Sequence, residues 1–327
     1  MTAEQRQLHG HDATGVFFIV GPTATGKSEL AADVAQEIGA EIISADAFQL
    51  YRGLDLLTAK PDAATIAKAP HHLIDRVPLQ EEMNAEKFRR AASRAIGEIH
   101  SRNKLAIVVG GSGLYIKTLT HGLADLPGDP KLRAHLNEMS LNELHRRLVD
   151  LDPEAARKID VKNQRRLVRA VEVCLLTAKP VSERRMEWNR VAADSDPGRL
   201  GAMISATGVF VLRDRDELYA RINNRVEAMF ENGVIEEVRA AAAGAISSTA
   251  SRTIGLHEIR ELLEGKMSIL QCVAAIQQAT RRYAKRQLTW FRRQSNFEPL
   301  NLSLLSHNEA AKWILLRTRC SFAHRND

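Results

Sequence analysis

Residues Gly21, Gly26, Lys27 and Ser28, within the stretch VGPTATGKSEL, keep the spacing G-x-x-x-x-G-K-[ST]. Glycines at those two places let the backbone curl until its N–H groups converge on an anion at the start of a helix. Lys27 adds a point charge for phosphate oxygens, and the Ser28 hydroxyl can complete a magnesium shell. An apolar, strand-length run (Val16–Val20) precedes the loop, and a helical pattern (Lys27–Ile38) follows it. The chemistry implied is a grip on phosphate or diphosphate by Gly21, Pro22, Thr23, Ala24, Thr25, Gly26, Lys27 and Ser28. The loop alone does not name the ligand.

Asp46, in ISADAFQLY, stands two residues past the end of a second expected strand, Glu41–Ser44. In a doubly wound sheet the carboxyl ends of neighbouring strands meet at one crevice, which would bring Asp46 near the bound anion. A carboxylate there can hold magnesium through water or take a proton from a nucleophile, though an aspartate in a turn is also commonplace. An ordinary ATPase strand would end in an acidic residue near the magnesium. The buried run LAIVVGGSGLY (Leu105–Tyr115) ends instead in Gly110-Gly111, which allows something bulky to approach the backbone. Asp75, closing HHLID, is the alternative acidic residue.

These residues need a sheet to position them. Strands are expected at Val16–Val20, Glu41–Ser44, His71–Asp75, Leu105–Val109 and Gly208–Leu212, with helices at Lys27–Ile38 and Ala85–His100 between them. The alternation implies an α/β fold with a parallel sheet and helices on both faces. The breaker DLPGDP (Asp125–Pro130) then opens a helical stretch with Leu132, Leu136, Leu144, Leu148 and Leu151 at helical spacing and a further helix over Arg165–Leu176. A second breaker, Asp194–Gly201, ends it. Helices over Asp216–Glu231, Val234–Ala243, Leu256–Leu263 and Ile269–Arg293 follow. The simplest plan is a core of residues 12–127 and 201–297, an all-helical insertion over 128–200, and a peripheral tail over 298–327.

The 327 residues carry a formal charge of +6, with 44% hydrophobic and 26% charged residues, an ordinary soluble composition. The excess is localised: Lys131–Arg190 holds 14 Lys and Arg against 9 Asp and Glu, and Gly265–Phe297 has no acidic residue. Two basic regions are what a polyanion partner needs, although two solvated helix faces would read the same way. The polar N-terminus shows no secretory leader, and no membrane span is expected. The three cysteines are far apart and unpaired in pattern, which argues against a disulfide framework or zinc site and fits a reducing cytosol.

GPTATGKS, DAFQLYRGLDLLTAKP, HHLID, VVGGSGLY, NQRRLVRAVE, RDRDELYARINNRV, TIGLHE and TRRYAKRQLTWFR occur in this order from Val16 to Arg293. In them the chain resembles the tRNA dimethylallyltransferases, also called tRNA isopentenyltransferases. The resemblance implies a P-loop NTPase-like core and a transfer of the dimethylallyl group from dimethylallyl diphosphate. The acceptor would be the exocyclic N6 amine of the adenosine 3′ to the anticodon, in tRNAs reading codons that begin with U, with diphosphate released. The loop would then hold a leaving diphosphate with Mg2+ at Ser28, and the catalytic set would be Asp46 as base with Lys27 and Arg221 on diphosphate. The adenine would have to leave its stack to reach the donor.

The same resemblance implies tRNA contacts at Asp46, Ala47, Phe48 and Gln49, at Ser112, at Arg133, Arg165, Arg166 and Arg169, and at Arg252 and Gly255. It also implies a cytoplasmic monomer of the bacterial type. Tyr283 and Trp290, seven apart in the last long helix, read as core packing. Ala47 stands where the family has serine, Leu57 where it has glycine, and Leu256 where it has tyrosine, departures that bear on substrate fit. Two other readings stay open: a kinase or isopentenyltransferase acting on a free nucleotide, or a non-catalytic RNA-binding P-loop protein.

Overall fold

A computed structural model describes residues 15–122, 126–183 and 207–323, with side chains to 318. The polar N-terminus and the breaker Asp194–Gly201 lie outside the described residues. The described residues divide into two units, one over 15–120 and 207–323, the other over 121–122 and 126–183.

The larger unit is built on one six-stranded sheet in which every pairing is parallel. Its strands are β1 (Val16–Val20), β2 (Glu41–Ser44), β3 (His71–His72), β4 (Ala106–Gly110), β5 (Thr207–Leu212) and β6 (Glu298–Asn301), in the spatial order β3-β2-β4-β1-β5-β6. All five residues of β1 and of β4 are buried, as near-continuous apolar runs must be in a sheet covered on both faces. Alternation along β1 splits the core. Phe18 and Val20 point into one cluster with Phe88, Ile99 and Phe291, while Phe17 and Ile19 point into another with Leu30, Val34 and Ile314.

The second face is covered by α1 (Lys27–Ile38), which leads from the loop, with the short α2 (Ala63–Lys68) beside it. The first face carries α3 (Ala85–His100) and α4 (Gly113–Thr120), with Phe88 stacked on Tyr115 at 3.9 Å between ring centroids.

The smaller unit contains α5 (Pro130–Asn137), α6 (Leu141–Leu151), α7 (Pro153–Lys158) and α8 (Gln164–Thr177). Leu136, Leu144, Leu148, Leu167 and Val171 form its core, so the leucine spacing seen in the sequence is the packed face of these helices. The larger unit resumes with α9 (Arg215–Glu231), α10 (Val234–Ala242), a 3-10 turn (Ala250–Arg252), α11 (Leu256–Leu263), α12 (Ile269–Phe291) and α13 (His307–Ala323). α12 starts at a capping box in which Ser268 and Gln271 each accept the other's backbone N–H.

Two expectations are corrected. The third strand stops at His72, because Leu73 (φ 61°) and Asp75 (φ 56°) take left-handed conformations that no strand accommodates. The segment after 297 is not peripheral: β6 pairs with β5, and Leu300, Leu302, Ala310 and Ile314 are buried against α1. Pro299 disguised this strand, yet a proline is tolerated on a sheet edge, where β6 lies.

Candidate active site

β1 and β4 end side by side, with Val20 opposite Gly110, and the Gly21 N–H donates to the Gly110 carbonyl at 3.1 Å. The chain then winds through the loop and enters α1 at Gly26, whose φ of 90° is the left-handed turn that glycine supplies cheaply. Thr25 Oγ1 and Lys27 Nζ both donate to the Pro22 carbonyl, at 3.0 and 3.2 Å, and hold the loop closed on itself. Lys27, Ser28, Asp46, Ser44, Gln49 and His71 are among the residues lining a cleft of about 340 Å³ at this end of the sheet. Loop and carboxylate thus meet at the strand ends, where open α/β sheets place their ligands.

Charge is unbalanced here. Burial pulls the Lys27 ammonium down to about 8, Asp46 pulls it partly back, and Arg225 pushes it lower again. Burial also lowers Arg221, followed by the neighbouring charge of Arg213. The Asp46 carboxylate is held by its own turn: Oδ1 accepts the backbone N–H groups of Phe48 (2.9 Å) and Gln49 (3.4 Å). The turn reading of Asp46 is thus what these bonds show, made through Oδ1. Asp75 is bound to the cleft wall by its backbone, its N–H donating to the Gln49 carbonyl at 3.0 Å, while its carboxylate pairs with Lys60 at 2.8 Å.

The glycine pair serves the protein itself rather than a bulky ligand. A Cβ at Gly110 would stand 2.3 Å from the Ala45 carbonyl oxygen, and one at Gly111 would stand 2.2 Å from Gln287 Nε2. Gln287, 5% exposed, accepts the Thr23 N–H at 2.9 Å and donates to the Gly111 carbonyl at 2.9 Å, bracing the loop from α12. Ser112 is buried, and its Oγ accepts the Ala47 N–H at 3.0 Å. Phe48 is half-buried beside it. Gln49 is likewise engaged inside the fold, receiving Ser44 Oγ at 3.2 Å and donating to the Ala59 carbonyl at 2.9 Å, so a base edge would have to displace these bonds.

Arg221 Nε donates to the Ala24 carbonyl at 2.9 Å, which brings α9 onto the loop. Sequence reasoning missed Arg213, Arg225, Gln287 and the role of Tyr283. Arg213, just past β5, donates to the Thr25 carbonyl at 2.9 Å. A signal existed for Arg225, since it lies four residues after Arg221 in one motif and so one helical turn away. Tyr283 is not in the core clusters: burial, then the Asp46 charge, push its hydroxyl up, with Ser112 and Gln287 acting the other way. Trp290 does pack on the core.

Two family departures are core positions. Leu57 and Leu256 are both buried in the main cluster, and a Cβ at Gly255 would meet Leu57 Cδ1 at 2.7 Å. Arg252 is exposed in the 3-10 turn just before them.

In the smaller unit Arg165 and Arg166 are exposed on α8. Arg133 and Arg169 share a fully buried partner, Glu172, at 2.9 and 2.7 Å, and Arg169 also donates to the Leu126 and Pro127 carbonyls. Burial alone would raise the Glu172 carboxyl, but Arg169, the Asp129 N–H and Arg133 outweigh it and hold it low. These two guanidinia are therefore tethered structural groups whose outer edges remain accessible. Glu172→Leu should destabilise the unit by about 2–3 kcal/mol, because it removes the buried carboxylate that ties Arg133, Arg169 and the Asp129 N–H together. A melting midpoint unchanged from wild type would show that the clamp is dispensable.

A six-stranded parallel sheet with a phosphate loop after β1 and a carboxylate after β2 defines a P-loop α/β protein. Residues 49–294 match the family description "IPP transferase". The tRNA dimethylallyltransferase 1 of Citrifermentans bemidjiense is 45% identical over 284 residues, spanning 86% of this chain and 90% of that protein. The tRNA dimethylallyltransferase of Geobacter sulfurreducens is 44% identical over 287 residues, spanning 86% and 89%. The crystal structure of the tRNA isopentenylpyrophosphate transferase of Bacillus halodurans is similar with a TM-score of 0.69 at 31% identity, covering 96% of this chain and all of that one. The chain belongs to the IPP transferase family.

Proposed function

We propose that this chain transfers the dimethylallyl group of dimethylallyl diphosphate to the N6 amine of the adenosine 3′ to the anticodon, in tRNAs reading codons that begin with U. The observation that carries the reading is the meeting of loop and Asp46 in one cleft of a chain belonging to this family. The bond from N6 to the terminal carbon of the allyl group forms as that carbon's bond to the diphosphate oxygen breaks. The N6 proton passes to the second oxygen of Asp46, and diphosphate is retained by the loop amides, Lys27 and Arg221.

Among the described residues no group of three His, Cys, Asp or Glu is gathered for a metal. A magnesium ion bound mainly by phosphate oxygens needs only one or two protein oxygens, and the Ser28 hydroxyl at the cleft fits that requirement. Such an ion supplies charge neutralisation on the departing diphosphate. The basic insertion, with Arg165 and Arg166 exposed, suits a tRNA backbone, and Ala47, Gln49, Ser112, Arg252 and Gly255 are the further contacts assigned to tRNA. The enzyme is read as a cytoplasmic monomer; among the described residues no helix is long and apolar enough to cross a membrane.

The test is mass spectrometry of nucleosides from unmodified tRNA incubated with enzyme, magnesium and dimethylallyl diphosphate. An adenosine heavier by one dimethylallyl group supports the reading. Its absence, or its appearance only when AMP or ATP replaces tRNA, defeats it.

A further inference from the structure

Arg225 is a guanidinium without a visible purpose. It sits on α9 one turn beyond Arg221, and its Nε is sealed from solvent with no hydrogen-bond partner. Among the described residues it forms no ion pair. A buried donor left open on a charged group is expensive, and native proteins retain one where something else completes it.

The surroundings say what would. A methyl group at Gly26 would stand 3.5 Å from Arg221 Nη2 and 3.8 Å from Arg213 Nη2, so two guanidinium tips already face the loop where it enters α1. Arg213 is balanced by Glu217. Arg221 has Glu217 and Glu29 as counter-charges, so Lys27 and Arg225 are left with one carboxylate between them, Asp46, which acts on both. Burial, the larger effect, and then Asp46 and Arg221 leave Arg225 at about 10, so it remains a cation at neutral pH. Lys27 and Arg225 thus exceed their shared carboxylate by one positive charge, beside an Nε–H that no protein group accepts, which suits an anionic ligand rather than another protein carboxylate.

We infer that Arg225 is an interior ligand of the bound diphosphate, donating from the protein side to a phosphate group that Lys27 and the loop amides hold from the other. The inference rests on the reading of the loop as a diphosphate holder. It also separates Arg225 from Arg221, which already has a partner in the Ala24 carbonyl.

Calorimetric titration with inorganic diphosphate and magnesium, paired with thermal melting of the ligand-free protein, tests it. Arg225→Met should weaken diphosphate binding by about 10- to 100-fold, the range for a lost charge-assisted hydrogen bond. The ligand-free melting midpoint should stay level or rise, because an unsatisfied buried charge has gone. A purely structural arginine would behave in the opposite way, with a lower midpoint and unchanged diphosphate affinity, and that result overturns the inference. Should the methionine variant fail to fold, Arg225→Lys keeps the charge but loses the fork, and severalfold weaker diphosphate binding is expected; undiminished binding overturns the inference. If wild type itself binds no diphosphate, the reading of the loop falls first and this falls with it.

Discussion

Asp46→Asn is expected to slow prenyl transfer by about 10²- to 10⁴-fold while leaving tRNA affinity within about twofold of wild type. The reason lies in how the carboxylate is held. Oδ1 accepts the Phe48 and Gln49 N–H groups, and an asparagine can keep its amide oxygen in that turn. What changes is the other position, where a proton acceptor becomes an N–H2 donor. The substitution thus removes the base without unwinding the turn. Single-turnover rates measured with saturating donor and tRNA, beside a filter-binding isotherm, separate the two. A rate within a factor of three of wild type would take Asp46 out of the chemistry.

Lys27→Met should weaken diphosphate binding by about 10²-fold or more, since it deletes a desolvated charge facing the anion. A sharper signature is the pH dependence. In the empty protein Lys27 is pulled to about 8, so it is a cation below that pH and increasingly neutral above it. An anion favours the charged form, so binding should take up a proton near pH 8 and weaken as pH rises through this value. Lys27→Arg removes that inflection because arginine stays charged. The stability consequence has a definite sign. Burying the ammonium costs the ligand-free fold about 3 kcal/mol below pH 8, a penalty relieved as pH climbs from about 8 towards the unfolded value of 10.5. Diphosphate should therefore raise the melting midpoint more at pH 7 than at pH 9. Equal shifts at both, in the wild type and in Lys27→Arg alike, would refute this account of the loop lysine.

The loop, Asp46 and the sheet were legible because their signals are local. Gly-x-x-x-x-Gly-Lys-Ser follows a fully apolar strand, and VFFIV and AIVVG can sit only inside a doubly covered sheet. The parts that escaped are those whose meaning depends on distant partners. Gln287 reaches Thr23 across 264 residues of chain, and Arg213 reaches Thr25 across 188. Nothing near either residue announces that contact. Tyr283 and Trp290 share a helical spacing, yet Trp290 packs on the main core while Tyr283 lies outside the core clusters and feels the Asp46 charge. The clamp of Arg133 and Arg169 on Glu172 escaped because Glu172 looked like one acidic residue among many. Its complete burial between them is a tertiary fact.

The late strand β6 sets a practical boundary. Arg213 donates not only to the loop but also to the Leu302 carbonyl at 3.1 Å, and α13 reaches the loop's own helix through His307 and Asp33. The match to the family model ends at residue 294, which invites trimming the gene there. A product cut at that point would carry a naked edge on β5 and leave Arg213, under the phosphate cradle, without its Leu302 partner. It should precipitate or lose its grip on diphosphate, and recovery of a soluble, fully binding fragment would show that the last thirty-odd residues are expendable.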